Sequence, residues 1–183
     1  MENKILKGSV IAFVIMLCLI VIASGVSAQT SPEGDTNIQT LSKGGLSISY
    51  PSDWGSSEAT SNYSIMAISK KDSIDSSGVG QVNINFEKKP LTGEFTKFVN
   101  DTYKQMQYDS SFTLVSSGES VVAGKNALEY VYTSNEDGAQ KEHKAVWFEK
   151  GGQAYALLYS APLDQFDANL YVFNYILTDI QIT

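Results

Sequence analysis

The sequence predicts an α+β fold in which a mostly antiparallel β-sheet is flanked by helices. Three observations lead to this fold class. Between residues 46 and 159, several segments alternate apolar and polar side chains with the period of two that indicates half-buried strands. Two segments, beginning near residues 95 and 166, have instead the apolar period of a helix. Glycine-containing turns separate the later segments, and such turns join antiparallel neighbours.

The N-terminal segment, residues 1–28, is predicted to be a secretory signal peptide. Lys4 and Lys7 precede an unbroken apolar run, Val10–Ala23, and the small residues within Val26–Ala28 provide a cleavage site. The run is shorter than the ~20 apolar residues that span a bilayer. The alternative is an uncleaved N-terminal membrane anchor. Either interpretation predicts an extracytoplasmic domain, secreted or tethered to the outer face of the cytoplasmic membrane.

The next segment, residues 29–43, is polar and is predicted to be a flexible tether. Residues 44–183 are predicted to form one domain, which is the number that this length favours. The single cysteine of the sequence is Cys18, inside the apolar run. The domain therefore has no disulfide and no cysteine ligand for a metal.

Three strands are predicted before the first helix, at residues 46–50, 63–68 and 81–86, and the third alternates most clearly. The helix that follows has an apolar stripe formed by Phe95, Phe98, Val99, Thr102, Tyr103 and Met106. Thr92 is predicted to cap its N-terminus, and Glu94 lies where the helix dipole favours an anion.

Four strands are predicted next, at residues 112–122, 128–133, 146–148 and 155–159, with turns at Gly124, Asn135–Gly138 and Gly151–Gly152. Pro162 opens a second helix, for which Asp164 is the predicted N-cap. Its buried stripe is predicted to contain Phe166, Leu170, Phe173, Ile176, Leu177 and Ile180, widened by Val172 and Tyr175. The chain ends in a short predicted strand at 180–182.

The charge of the chain excludes one class of partner. The net charge at pH 7 is −7, and every basic residue is a lysine. Nucleic-acid binding needs a basic surface and favours arginine for contacts with bases. No nucleic-acid partner is therefore predicted.

Several core and turn segments form a recognisable set: Ser49–Trp54, the helix after Pro90, Gly124–Ala127, Tyr155–Leu157 with Ser160–Pro162, and the helix containing Phe166 and Phe173. Together they resemble PsbP-like domains, a family that includes the extrinsic P subunit of photosystem II, its non-photosynthetic prokaryotic relatives and DcrB-like exported proteins. The resemblance covers roughly residues 44–183 and involves no catalytic signature.

This resemblance implies an α-β-α sandwich and a non-enzymatic accessory or binding role beside a membrane complex. It carries no cofactor ligands over to this chain. The photosynthetic members dock through a basic N-terminal segment, which the polar tether does not match, so no photosystem role is implied.

The residue types and motifs in the sequence disfavour catalysis by a serine or cysteine nucleophile and catalysis by zinc. The single histidine, His143, lies in the charged segment Lys141–Lys144 and is predicted to be a solvated residue on a strand edge. Neither a Gly-x-Ser-x-Gly elbow nor a Ser-x-x-Lys motif occurs in the sequence. One histidine and no cysteine in the domain leave zinc without its usual ligands.

Calcium needs only oxygen ligands, so acidic loops are the candidates for a cation site. Asp72 and Asp75 lie in a serine-rich loop, and Asn135–Asp137 form one turn. Neither segment has the spacing of a calcium loop, and ordinary turn chemistry is predicted for both.

Two further kinds of site are open to test. A glycosidase-type pair would come from the strand carboxylates Glu87, Glu129, Glu142 and Glu149. Glu129 is predicted to face solvent. An aromatic platform for a sugar or peptide would come from Trp54, Tyr130, Tyr132, Trp147, Tyr155 and Tyr159. At strand spacing these rings are predicted to be core instead, with Trp54 closing one end of it. Asn62 and Asn100 begin glycosylation sequons, the latter on the outer side of the first helix.

The sequence thus predicts a non-enzymatic exported accessory or binding protein that acts at the outer face of the cytoplasmic membrane, with a membrane protein complex as its partner. The alternatives are an exported protein that binds a small ligand or a cation such as Ca²⁺, and a carboxylate-based hydrolase. No catalytic, cofactor-binding or metal-ligating residue is singled out.

Overall fold

The computed structural model describes residues 37–57, 63–136 and 138–183. The predicted signal peptide, the first part of the predicted tether and Asn62, the first residue of its sequon, lie outside these residues. Within the described ranges, no helix is both long enough and apolar enough to span a membrane.

The described residues form ten strands and two α-helices. The strands are β1 (Ile38–Lys43), β2 (Leu46–Pro51), β3 (Trp54–Ser57), β4 (Ser64–Lys70), β5 (Asn83–Pro90), β6 (Thr113–Val122), β7 (Lys125–Glu136), β8 (Ala139–Lys150), β9 (Gln153–Pro162) and β10 (Gln181–Ile182). The helices are α1 (Phe95–Met106) and α2 (Leu163–Asp179).

A seven-stranded sheet with the order β3-β4-β5-β9-β8-β7-β6 forms the centre of the fold. Every neighbouring pair in it is antiparallel. Helix α1 packs on one side of this sheet. Helix α2 packs on the other side, together with a small sheet of order β1-β2-β10. The α+β class and the layered arrangement implied by the family resemblance are both confirmed.

The predicted turns have the backbone conformations that hairpins need. Gly151 and Gly152, between β8 and β9, have φ values of 58° and 70°. Positive φ at both central residues is the geometry of a two-residue turn that matches the twist of antiparallel strands. In the turn between β7 and β8, the side-chain oxygen of Asn135 accepts a hydrogen bond from the backbone N–H of Gly138 at 3.1 Å.

Two strands were not predicted. Ile38–Lys43 was assigned to the flexible tether, but it forms β1 and pairs with β2 along its whole length. An edge strand over a small sheet needs few apolar residues, and Leu41 supplies the contact with the core. Trp54–Ser57 forms β3, a four-residue edge strand whose glycine and serines have low strand propensity.

The core on the α2 side is the larger of the two, and most of its apolar side chains are buried. It contains the predicted stripe of α2 and the apolar faces of β2, β4, β5, β8 and β9. Trp54 is fully buried within it, as predicted for this ring. Tyr175 was predicted to widen the stripe, and this is wrong, because its side chain lies on the exposed face of α2.

Both predicted N-caps are wrong by about two residues. Gly93, with φ of 83°, turns the chain so that Glu94 occupies the cap of α1, where its carboxylate accepts the backbone N–H groups of Thr96 and Lys97. These bonds lower the pKa of Glu94. Helix α2 begins directly after Pro162, so Asp164 lies in its first turn, where the helix dipole still favours a carboxylate.

The loop between β4 and β5 folds back so that Gly80 lies against Ser69. A Cβ atom at residue 80 would lie 2.4 Å from both the Cβ and the Oγ of Ser69. We therefore expect Gly80→Ala to lower the free energy of unfolding by about 2 kcal/mol, as measured by urea denaturation. Gly55→Ala is the control, because a Cβ there meets only ordinary contacts with Lys71.

Removing the side chain of Ser69 should relieve the clash. Adding Ser69→Gly to the Gly80→Ala variant should restore part of the lost stability. Equal unfolding midpoints for Gly80→Ala and Gly55→Ala would show that this close approach does not constrain the loop.

Candidate functional site

The α1 side of the sheet has two zones, which follow from the alternation of side chains along β8. On this strand Ala145 and Trp147 face the helix, and Lys141 and His143 continue the same face toward the end of the strand. The first pair belongs to an aromatic zone beneath α1. The second pair belongs to a row of buried polar groups beyond it.

Large rings fill the aromatic zone. Tyr103 of α1 stacks on Tyr130 of β7, with ring centroids 3.7 Å apart and planes 7° apart. The indole N–H of Trp147 donates to the Tyr103 hydroxyl at 2.9 Å. Burial raises the pKa of Tyr103 well above its usual value. The Tyr130 hydroxyl donates to the side-chain oxygen of Asn100, which ties α1 to the sheet.

The described residues cover this zone incompletely. Eight apolar side chains in the described residues are buried here, and eight more are only partly buried around them: Leu91, Phe95, Phe98, Met106, Phe112, Leu114, Leu128 and Leu158. On the α2 side only three partly buried apolar side chains accompany twenty-four buried ones. We call these eight partly buried side chains the α1 rim.

An ion pair lies at the margin of the aromatic zone. The Lys89 ammonium is 3.0 Å from a carboxylate oxygen of Glu87, and both side chains are largely buried. The same ammonium lies 5.4 Å from the ring centroid of Tyr63 and 5.7 Å from that of Trp147. Glu87 is thus neutralised by a cation held against two aromatic rings.

His143 is the centre of the polar row, and the prediction of a solvated histidine is wrong. The strand that carries it, β8, lies between β7 and β9 and has no free edge, and His143 is 1 % exposed. Its Nε2 is 2.8 Å from the Ser134 hydroxyl, and its Nδ1 is 2.7 Å from the Ser160 hydroxyl. The ring also stacks on Tyr132 at 4.6 Å.

This arrangement fixes what the histidine can do chemically. Burial, with a smaller contribution from the positive charge of Lys141, lowers the pKa of His143 to about 3. At neutral pH the ring is uncharged, accepting a hydrogen bond from one serine and donating one to the other. A base of such low pKa is far from the optimum for activating a hydroxyl near pH 7. We assign the trio of Ser134, His143 and Ser160 a structural role.

The strand carboxylates do not assemble into one site. Glu129 was predicted to face solvent, but its side chain is only 27 % exposed and pairs with Lys144 at 3.1 Å. Because it alternates with Leu128 and Tyr130, it lies on the opposite side of the sheet from Glu87. Glu142 shares the side of Glu129 but lies four residues along the paired strands, about 13 Å away.

Glu142 has another acidic neighbour. Burial, and then the negative charge of Asp167 on α2, raises the pKa of Glu142. Asp167 itself is exposed. Glu149, at the far end of β8, is exposed as well. A carboxylate-based hydrolase would therefore have to use Glu142 and Asp167.

The acidic loop residues are engaged in local bonds. Asp72 pairs with Lys70 at 3.0 Å. The carboxylate of Asp75 accepts hydrogen bonds from Ser77, Val79 and Gln81. These bonds, with the Ser77 hydroxyl first, lower the pKa of Asp75 to about 2. This is the turn chemistry predicted for the loop.

No cluster of metal-ligating side chains is present in the part of the chain that the structure describes. Asp137, in the other acidic turn, lies outside that part. The six aromatic residues considered as a platform divide between the two sides of the sheet, as expected for core rings: Tyr130, Tyr132 and Trp147 on the α1 side, and Trp54, Tyr155 and Tyr159 on the α2 side. Asn100 is exposed on α1.

Comparisons with known proteins agree with this architecture. A family model described as "PsbP-like protein" matches residues 10–177. A search of curated protein sequences finds no match.

Three solved structures are similar in fold. Cyanobacterial PsbP (CyanoP) from Synechocystis has a TM-score of 0.58 at 15 % identity, covering 85 % of this chain and 98 % of its own. LpqN from Mycobacterium tuberculosis has a TM-score of 0.59 at 16 % identity, covering 82 % and 92 %. The Ran-binding protein Mog1p from Saccharomyces cerevisiae has a TM-score of 0.55 at 6 % identity, covering 81 % and 96 %.

Proposed function

Because the chain belongs to the PsbP-like protein family, we propose that it is a non-enzymatic binding protein that holds a partner protein on the α1 rim. In this proposal the protein is exported and works at the outer face of the cytoplasmic membrane, beside a membrane protein complex. The observation that carries the proposal is the incomplete cover of the aromatic zone.

Apolar area supplies the driving force for such binding. A contiguous apolar surface left open on a folded domain costs free energy in water, and a partner that covers it recovers that free energy. The α1 rim surrounds rings that are already fixed, because Tyr103, Tyr130 and Trp147 hold one another in place. A partner would therefore meet a preorganised surface and lose little conformational entropy there.

The chemistry of the same side favours binding over catalysis. The buried histidine is neutral and engaged by two serines, and the buried carboxylate is paired with a lysine. Neither group is available as a base or a nucleophile. Among the structural neighbours, Mog1p is described as a Ran-binding protein and LpqN as involved in cell envelope biogenesis, so the fold accommodates roles of this kind.

The test compares two substitutions on opposite sides of the molecule. Phe95 belongs to the α1 rim, whereas Tyr171 is exposed on α2. We expect full-length protein carrying Phe95→Lys to lose a partner that the wild type recovers from solubilised membranes of its source cells. Tyr171→Lys should recover that partner at the wild-type level. Circular dichroism would verify that both variants fold.

Other outcomes separate the alternatives. Loss of the partner in Tyr171→Lys but not in Phe95→Lys would place the binding surface on α2 and overturn the proposal. If the wild type recovers no partner, thermal stabilisation by calcium or by sugars would support the small-ligand or cation alternative. Hydrolysis that is abolished by Glu142→Gln would support the hydrolase.

A further inference from the structure

The strand β6 forms one outer edge of the seven-stranded sheet in the described part of the chain. It is the last strand in the sheet order, and only β7 pairs with it among the described strands. Seven of its ten residues are exposed. An outer strand of this length presents a row of unpaired backbone N–H and C=O groups to solvent.

The usual protections of an edge are nearly absent from β6. The strand contains no proline, and Glu119 is its single charged residue. Its bulge lies near the beginning of the strand, between Leu114 and Ser116, and the pairing with β7 is regular from Ser116 to Val122. Val115 and Val121 are 57 % and 60 % exposed, although valine favours burial. This edge is suited to pairing rather than protected from it.

Gly118 lies at the middle of the exposed strand. Its φ is not positive, so the backbone conformation does not require glycine. A Cβ atom at this position would meet no described atom within 4 Å, so packing within the chain does not require glycine either. A glycine in the interior of a strand often marks a place where another backbone approaches closely.

The residues around Gly118 are self-complementary, and we propose that β6 pairs antiparallel with β6 of a second copy of this chain, with the two-fold axis at Gly118. In that register Gly118 lies opposite itself, and Val115 lies opposite Val121 of the other copy. Val121 projects toward the α1 side of the sheet, and Val115 is the extra residue at the bulge, so each dimer would bring together two pairs of exposed valines.

The charges also fit this register. Glu119 would lie opposite Ser117 of the second copy, so that the two Glu119 carboxylates do not face each other directly. The resulting dimer would have one continuous sheet and a closed, symmetric interface. The other outer strand, β3, has only four residues and offers a shorter edge.

Disulfide trapping tests the register directly. In full-length protein with Cys18→Ser, we expect Gly118→Cys to form a disulfide-linked dimer under mild oxidation. Ser117→Cys alone should remain unlinked, because residue 117 lies opposite residue 119. A mixture of the Ser117→Cys and Glu119→Cys proteins should yield a linked heterodimer. Linkage of Ser117→Cys to itself without linkage of Gly118→Cys would overturn the proposed register.

Sedimentation measures the affinity of the two copies for each other in the absence of a crosslink. Val121→Lys should weaken the dimer on the order of tenfold, because each substitution affects both symmetric valine pairs. Tyr108→Lys is the matched control, since Tyr108 is 79 % exposed but lies outside β6. A wild type that stays monomeric at every concentration would overturn self-pairing, and so would a Gly118→Cys protein that crosslinks in cells to a different protein.

Discussion

Lowering the pH from about 7 to about 4 should reduce the free energy of unfolding by about 3 kcal/mol through His143 alone. The cause is the buried position of the ring, which lowers its pKa from 6.5 to about 3 in the folded protein. The unfolded chain binds a proton near pH 6.5, whereas the folded chain resists that proton. Protonation would also turn the ring into a double donor between Ser134 and Ser160.

Stability decreases with falling pH because the pKa of His143 is lower in the folded state than in the unfolded state. Above pH 6.5 the ring is neutral in both states, and the stability of the fold is complete with respect to this group. As the pH falls from 6.5 toward 3, the unfolded state gains a proton that the folded state lacks, and stability is lost. Glu142 has the opposite effect, because its raised pKa lets the folded state bind its proton first.

The measurement is a set of urea denaturation curves between pH 7 and pH 4 for wild type and His143→Gln. Glutamine can donate to one serine and accept from the other, but it does not titrate. Even if His143→Gln is less stable at pH 7, its stability should fall much less steeply over this range. Parallel pH profiles for the two proteins would contradict the assignment. The pKa values of Asp75, Glu94 and Asp109 are lowered in the folded protein. These carboxyl groups therefore reduce the free energy of unfolding mainly near pH 4, at the acidic end of the measured range.

The burial of His143 could not be predicted from the sequence alone. The charged neighbours Lys141, Glu142 and Lys144 suggested a solvated strand edge. The sequence does contain the opposite signal, since His143 alternates with Ala145 and Trp147 on one face. What it does not contain is the strand order, and only that order places β8 between two neighbours. Burial of a polar residue depends on such long-range pairing.

The helices and hairpins were predictable because local chemistry determines them. The apolar stripes of α1 and α2 and the positive φ values at Gly151 and Gly152 depend on residues close together in the chain. The strands β1 and β3 were missed because each is short, polar and held by a partner strand. Pairing, rather than intrinsic propensity, stabilises such edge strands.

The α1 rim could be predicted only in part. Phe95 and Phe98 belong to the predicted stripe of α1, and the alternation of Leu128 with its neighbours was visible. Periodicity shows which face of an element is apolar, but it does not show how completely another element covers that face. That cover depends on the large rings that separate α1 from the sheet, chiefly Tyr103 and Trp147.

Trp147 should therefore be the residue on which the docking of α1 most depends. Trp147→Ala is expected to lower the free energy of unfolding by about 3–5 kcal/mol, because it removes a fully buried ring. It also removes the donor to the Tyr103 hydroxyl and the edge contact with Phe98, whose ring centroid is 6.3 Å away. Urea denaturation gives the loss, and hydrogen exchange of the α1 amides shows whether the helix has loosened.

The adjacent residue supplies the matched control, because Phe148 is equally buried but faces the α2 side, where it stacks on Tyr155 at 5.0 Å. Phe148→Ala should cost a similar free energy of about 3–5 kcal/mol. In Phe148→Ala the α1 amides should still exchange only when the whole domain unfolds. In Trp147→Ala they should exchange faster than that, because α1 opens locally. A loss below about 1 kcal/mol for Trp147→Ala, or the same exchange pattern in both variants, would show that the aromatic zone does not hold α1. In that case the α1 rim would not be a preorganised surface, and the binding proposal would lose its physical basis.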